Sequence, residues 1–345
     1  MAFEVPTVDI SPYVKGGTPE EKAAVARAWD DACRTVGFVQ VIGHAVPDET
    51  IEGLKAAIDD FFAQDMDTKM LMRTPRGINR GYSPPKSESL SLSLGVVNAS
   101  LMNDFFEAFN VGLTRADYPG VDLPENEYQA NVWPDVPLFQ ERVMAYFAEA
   151  RRVAETLVTI FPDALGLPSD FFADATTNNT ATMRINNYAL PPGTVDLDGE
   201  LRGMGEHTDY DIVTVLWADQ VKGLQVLGTD GSWNDVNPAD GALLVNLADN
   251  MAGWTNDHWM STLHRVKPPV IDGKIERRRS VAYFHGGRPD AVIAPIPELL
   301  AEGEELLYEP ITVAEHRKAK LAGSRGGRLN TKAEREAARV RASAG

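Results

Sequence analysis

Apolar positions recur at helical spacing through much of the first half of the chain. In the second half they come in short runs cut by glycine, proline, asparagine and aspartate. Residues 20–35 suit a helix. Residues 37–43, GFVQVIG, form an apolar run bounded by glycines, the pattern of a buried strand. A further helix is predicted over 48–62, with Asp48 as its N-cap. Over 137–161, Leu138, Val143, Phe147, Ala150, Val153, Leu157 and Ile160 fall largely on one face, which predicts a long packing helix. After Asn179 the pattern becomes β-rich, with runs at 182–188, 214–217, 223–227, 242–247, 264–267 and 280–284. Many short strands at fairly regular spacing predict a sandwich or barrel. The expected fold is β-rich α+β, a β core with an N-terminal helical layer and a long packing helix. Within 81–100, Ser89, Ser91 and Ser93 alternate with Leu90, Leu92 and Leu94, the spacing of an edge strand or of a mobile cover over a site.

Composition narrows the function without naming it. The 345 residues are 43% hydrophobic and 24% charged, which is enough for a sizeable core. A net charge of −17 argues against nucleic acid as a partner, since phosphate binding needs basic surface. The charge is uneven, because residues 315–345 hold nine Lys or Arg against three Glu. That basic stretch, 316–345 in particular, is expected to be a solvated terminal helix or tail. Cys33 is the only cysteine, which excludes internal disulfides and thiolate zinc clusters. No run approaches the roughly 20 apolar residues of a membrane span, and no secretory pattern opens the chain, so a cytoplasmic protein is expected.

The histidines carry the chemistry. His207-Thr208-Asp209 precedes an apolar run, and in extended chain residues two apart point to the same side, so His207 and Asp209 can converge on one ion. An imidazole and a carboxylate suit iron(II), and a second histidine from a distant strand completes a face that leaves other coordination positions open. His264, opening His264-Arg265-Val266, is the candidate third ligand. His44 and His258 are assigned to structure, and Trp254 and Trp259 to the core. Arg278 and Ser280 share a strand face by the same two-residue rule. A guanidinium and a hydroxyl can hold a carboxylate there, although Arg277, Arg278 and Arg279 could also be a plain basic surface run.

In this order the motifs resemble the isopenicillin N synthase-like family of iron(II)- and 2-oxoglutarate-dependent oxygenases. Val5-Pro6-Thr7-Val8-Asp9, Gly37-Phe38, Gly43-His44-Ala45-Val46 and the 290–295 run DAVIAP extend the likeness to about Pro297. The resemblance implies a double-stranded β-helix (jelly-roll) core over 180–297, with a substrate-shaping part over 1–120 in a single integrated domain of 1–315. It implies Fe(II) on His207, Asp209 and His264, with 2-oxoglutarate and O2 as co-substrates. Arg278 and Ser280 would grip the distal carboxylate of 2-oxoglutarate. Met183-Arg184-Ile185-Asn186-Asn187-Tyr188 is similar to the family's Arg-x-Asn-x-Tyr strand and adds Asn186 and Tyr188, although 189–192, ALPP, departs from the usual continuation. The implied reaction hydroxylates, desaturates or cyclises a small molecule in specialised metabolism, releasing succinate and CO2. Retention of Asp209 argues against halogenation.

The substrate pocket is expected to draw on Arg80, Tyr82, Asn98, Phe106, Glu107, His285 and Arg288, with Arg80 and Arg288 pointing to an anionic or amino-acid-like molecule. Two other classes stay open here: an oxidase of the same fold that does not use 2-oxoglutarate, and a zinc hydrolase or non-catalytic metal-binding protein with the same ligand set.

Overall fold

Parity along the strands decides which face each residue joins. In the computed structural model, residues 3–75, 77–94, 104–189, 203–267, 270–271, 274–325 and 330 are described. The strands in chain order are β1 (Thr7–Asp9), β2 (Phe38–Ile42), β3 (Gly81–Ser83), β4 (Glu107–Gly112), β5 (Ala181–Tyr188), β6 (Met204–His207) and β7 (Val213–Ala218). They continue with β8 (Leu224–Leu227), β9 (Trp233–Asp235), β10 (Leu243–Leu247), β11 (His264–Val266), the short hairpin β12 (Val270–Ile271) and β13 (Lys274–Ile275), and β14 (Arg278–His285). Eight of them form one sheet in the order β1-β2-β10-β7-β14-β5-β4-β3, and a four-stranded sheet runs β6-β11-β8-β9. The two sheets make the jelly roll.

A last antiparallel pair, β15 (Val292–Ile293) and β16 (Ile311–Thr312), follows, and the α-helices among the described residues are α1 (Ser11–Val14), α2 (Pro19–Thr35), α3 (Asp48–Phe62), α4 (Met66–Met70), α5 (Phe139–Leu165), α6 (Ala173–Thr176), α7 (Asp249–Trp254) and α8 (Val313–Ser324). α2 begins with a capping box between Thr18 and Glu21, and α8 with one between Thr312 and Glu315, so the cap N–H and one first-turn N–H of each helix are satisfied locally. α5 stops at Gly166, whose φ of 71° is one that glycine adopts at little cost.

On the large sheet, Val39, Met183, Ile185, Val213, Val215, Val245, Val281 and Tyr283 face α2, α3 and α5 in the main core. Their alternates point between the sheets. Phe38, Ala108, Tyr188 and Leu244 meet Met204, Leu224, Val226 and Val266 of the small sheet in a second core. The cavity described below opens from this inter-sheet space.

Three local expectations are corrected. Asp48 is the first helical residue of α3, Pro47 occupies the cap position, and no side chain caps that end. The Ser/Leu alternation is a 3-10 turn over Leu90–Leu94, buried along its whole length, not an edge strand. It is held by Leu90 N–H donating to Asp104 Oδ2 at 2.8 Å and by Ser89 N–H donating to Ser324 O at 2.9 Å. The second of these bonds shows that the solvated-tail expectation fails for α8. A Cβ added at Gly323 would lie 2.7 Å from the backbone of Leu92 and Ser93, so helix and turn are in backbone contact.

Candidate active site

β6 ends on His207 and β11 begins on His264, and the two are register partners across the small sheet. Asp209 follows two residues after His207, where the chain crosses to β7. Donor atoms of the three lie within 4.8 Å of one another, and all three residues are buried. The His207 Nε2–Asp209 Oδ1 and His264 Nε2–Asp209 Oδ1 separations are 3.9 and 3.7 Å. Those distances are too long for hydrogen bonds, yet within the span of about 4 Å that one ion can bridge.

Each ligand atom is prepared by its other end. His207 Nδ1 lies 2.8 Å from Gly205 O, and His264 Nδ1 lies 3.0 Å from Thr262 O. A carbonyl can only accept, so each Nδ1 carries the proton and each Nε2 presents its lone pair. Burial, reinforced by His264, pushes His207 well below its ordinary value, so this imidazole is neutral at pH 7. Asp209 Oδ2 accepts from Thr214 Oγ1 at 2.5 Å and from Asn246 Nδ2 at 2.7 Å. Oδ1 is thereby left facing the imidazoles. Two imidazole nitrogens and one carboxylate oxygen fit a non-haem iron(II) ion with open positions.

The same cavity is lined by Arg278, Ser280, Asn186 and Tyr188. β14 and β5 pair antiparallel, with Arg278 opposite Tyr188 and Ser280 opposite Asn186. Asn186 Nδ2 donates to Ser280 Oγ at 3.4 Å, and the Arg278 guanidinium stands 5.2 Å from the Tyr188 ring centroid. Arg278 is 2% exposed, and its Nε and Nη1 have no hydrogen-bond partner among the described residues. Arg277 and Arg279 point the other way and pair with Asp59.

None of the described substrate candidates lines this cavity. Arg80 is pinned by donating to Asn79 O and Leu113 O, at 2.8 and 3.0 Å. Tyr82 and Glu107 belong to a buried network, in which Glu107 Oε2 accepts from Tyr82 Oη at 2.6 Å and from Lys69 Nζ at 2.7 Å. Phe106 packs against Tyr188 behind the wall. His285 is on the opposite face of β14, with Nδ1 3.4 Å from Asn179 Nδ2. Arg288 forms ion pairs with Asp174 and Asp290, both largely exposed. Asn98 lies outside the described residues.

The cavity wall instead includes Thr182 and Arg184 from β5, Phe284 from β14, Tyr210 and Asp211 after the metal turn, and Arg317, Leu321, Ser324 and Arg325 at α8. The strand residues could have been found by carrying the two-residue rule onward from Asn186 and Ser280. No local signal marks the α8 set.

Two family models match the chain. One, described as the N-terminal part of non-haem dioxygenases in morphine synthesis, matches residues 5–136; the 2OG-Fe(II) oxygenase superfamily model matches 180–287. The chain is 33% identical over 316 residues to the 2-oxoglutarate-Fe(II) type oxidoreductase hxnY of Emericella nidulans, spanning 89% of this chain and 86% of that protein. It is 31% identical to validamycin A dioxygenase of Streptomyces hygroscopicus subsp. limoneus, over 86% of this chain and 80% of that one. Among solved structures it resembles Neurospora crassa T7H in complex with α-KG and thymine, with a TM-score of 0.78, 25% identity and coverage of 92% and 96%.

Proposed function

The chain belongs to the 2OG-Fe(II) oxygenase superfamily, and from that premise we propose that His207, Asp209 and His264 hold its iron while Arg278, Ser280, Asn186 and Tyr188 hold 2-oxoglutarate. The protein is an oxidoreductase of the dioxygenase type that uses Fe(II), 2-oxoglutarate and O2 to oxidise a small molecule, releasing succinate and CO2. Among the described residues no helix is long and apolar enough to cross a membrane. The bound metal supplies the oxidising power; the chain binds, orients and keeps out water.

The Arg278 guanidinium carries the co-substrate assignment. A buried charge without a partner is costly, and an incoming carboxylate that accepts from Nε and Nη1 removes that cost. Ser280 stands two residues along the same face, with Asn186 donating to it, so a hydroxyl beside the guanidinium is already oriented. The decisive test is anaerobic addition of 2-oxoglutarate to the Fe(II)-loaded protein. A visible charge-transfer band is expected, absent in His207→Ala and His264→Ala. No band with iron bound at stoichiometry would overturn the assignment.

The substrate is proposed to be a small molecule bearing an anionic group. Six residue steps of strand lead from Arg278 to Phe284, about 20 Å at some 3.3 Å per step, so the cavity wall reaches well beyond the carboxylate site. At this far end Arg184, Arg317 and Arg325 face the cavity, with Asp211 the acidic group among them. Their counter-ions Glu88 and Glu127 are outside the lining, while Arg317 also pairs with Asp211 within it at 3.8 Å. Burial raises the Glu88 carboxyl, but Arg184 and Arg325 outweigh it and hold the group below its ordinary range, so it stays charged. Carboxylates and their matching amides should differ in stimulating succinate release, and equal stimulation would count against this class. We also group residues 1–315 as one oxygenase unit and extend it through α8, because Val8 and Val313 share the main core.

A further inference from the structure

Lys320 is 1% exposed, although it sits in the most basic part of the sequence. Its ammonium pairs with Asp249 Oδ2 at 2.8 Å, donates to Thr208 Oγ1 at 3.3 Å and stands 5.8 Å from the Tyr210 ring centroid. Thr208 and Tyr210 are the two neighbours of Asp209. One lysine of α8 therefore grips the metal turn on both sides of its carboxylate.

Asp249 ties in the rest of the centre. Its N–H donates to Asp209 O at 2.9 Å, and the next N–H, of Asn250, donates to Asp211 O at 3.0 Å. Its Oδ1 accepts from Ser261 Oγ at 2.7 Å, on the segment whose Thr262 carbonyl orients His264. His316, also on α8, reaches Oδ2 at 3.2 Å. Asp249, through its N–H and its carboxylate, thus joins the Asp209 turn, the approach to His264 and the C-terminal helix.

α8 faces two ways. Arg317, Leu321 and Ser324 line the cavity, while Lys320, one residue before Leu321, turns to the metal turn. Lys320 lies three residues after Arg317 and four before Ser324, so it adjoins the wall residues on the same helix, and wall and latch move together if the helix moves. We propose that Lys320 is a positioning residue that couples docking of α8 to the metal centre, so that metal occupancy and closure of the substrate wall favour each other. The coupling rests on His207, Asp209 and His264 being the metal site. By thermodynamic reciprocity, whatever factor α8 docking adds to metal affinity, metal adds to α8 docking, and a factor on the order of tenfold is typical of such coupling.

The test uses the full metal-free chain with Co(II) as the probe, and reads backbone hydrogen exchange together with Co(II) affinity. In the wild type, Co(II) should slow exchange across Val313–Ser324 on the order of tenfold, while mid-helix amides of Phe139–Leu165 serve as the unaffected reference. Lys320→Met alone strands a buried carboxylate and is at risk of misfolding, so the informative variant is Lys320→Met with Asp249→Asn, which removes both charges. It should keep its secondary structure, bind Co(II) about tenfold more weakly and show no metal effect on α8 exchange. Wild-type α8 exchange that ignores Co(II), while His207→Ala abolishes Co(II) binding, would overturn the coupling and leave the metal site standing. Co(II) binding that survives both His207→Ala and His264→Ala would overturn the site itself, and the coupling with it.

Discussion

Asn246→Ala tests whether the metal centre is prepared by its surroundings or only by its three ligands. Asn246 on β10 and Thr214 on β7 are direct cross-strand partners, and both donate to the same oxygen of Asp209, at 2.7 and 2.5 Å. With Oδ2 so occupied, the carboxylate plane is fixed and Oδ1 faces the two imidazoles. A hydrogen bond to a buried charged group contributes about 1.5–3 kcal/mol, and loss of such an outer partner typically weakens metal binding about 10- to 100-fold. We therefore expect Asn246→Ala to weaken Fe(II) or Co(II) binding by roughly that factor, with Thr214→Val similar. Because the two donors share an acceptor, the double variant should lose less than the two single losses combined, since the carboxylate is free to rotate once either bond is gone. Calorimetric titration of Co(II) into the metal-free protein reads all four forms of the cycle. Binding by Asn246→Ala within about twofold of wild type, with His207→Ala binding abolished, would falsify the orienting role.

Three further outcomes follow from the geometry. Arg278→Ala should weaken 2-oxoglutarate binding by about 2–5 kcal/mol, at least about 30-fold, with metal affinity unchanged; equal loss of both would place Arg278 in the structural frame instead. Glu107→Gln leaves the Lys69 ammonium buried without its counter-charge, and should cost about 3–5 kcal/mol in urea unfolding while 2-oxoglutarate affinity holds within about twofold. A stable variant with impaired 2-oxoglutarate binding would return Glu107 to the site. His285 is held down to about 4, by burial first and Arg151 second. The unfolded imidazole takes up its proton near 6.5 while the folded one resists, so stability present above pH 6.5 is lost as pH falls toward 4, by about 3 kcal/mol at most. His285→Asn should flatten the pH slope of the urea midpoint in that window, and parallel slopes for the two proteins would rule the effect out.

The grouping of the proposed metal and co-substrate residues was legible because extended chain has a fixed period of two. His207 with Asp209, and Arg278 with Ser280, share a side by that rule alone, and antiparallel pairing brings Asn186 and Tyr188 opposite. Carried two steps further, the rule adds Ala282, Phe284, Arg184 and Thr182 to the wall and removes His285, whose parity puts it on the helix-facing side of β14. Tyr82 and Glu107 misled for another reason. Polar residues in a strand next to a pocket look like pocket residues, but here they satisfy each other and Lys69 in the interior. Nothing within a few residues of Glu107 shows that Lys69 will arrive.

The C-terminal helix was read as solvated because charge is counted locally while compensation is not. Lys320 meets Asp249 and Arg317 meets Glu127, partners about 70 and 190 residues away in sequence. A buried ion pair of this kind adds little net stability over an apolar pair of similar size. What it does supply is one seating for α8, because displacing the helix strands Asp249 beside the metal turn. The proposed Fe(II) and 2-oxoglutarate end is built from strands whose register is set by ladder hydrogen bonds. Part of the far wall, by contrast, is a helix held by charge matching and by the close approach at Gly323. Substitutions on α8 can therefore change which molecule is accepted while leaving the strand-borne donor atoms in register, provided Lys320 and Gly323 keep the helix seated.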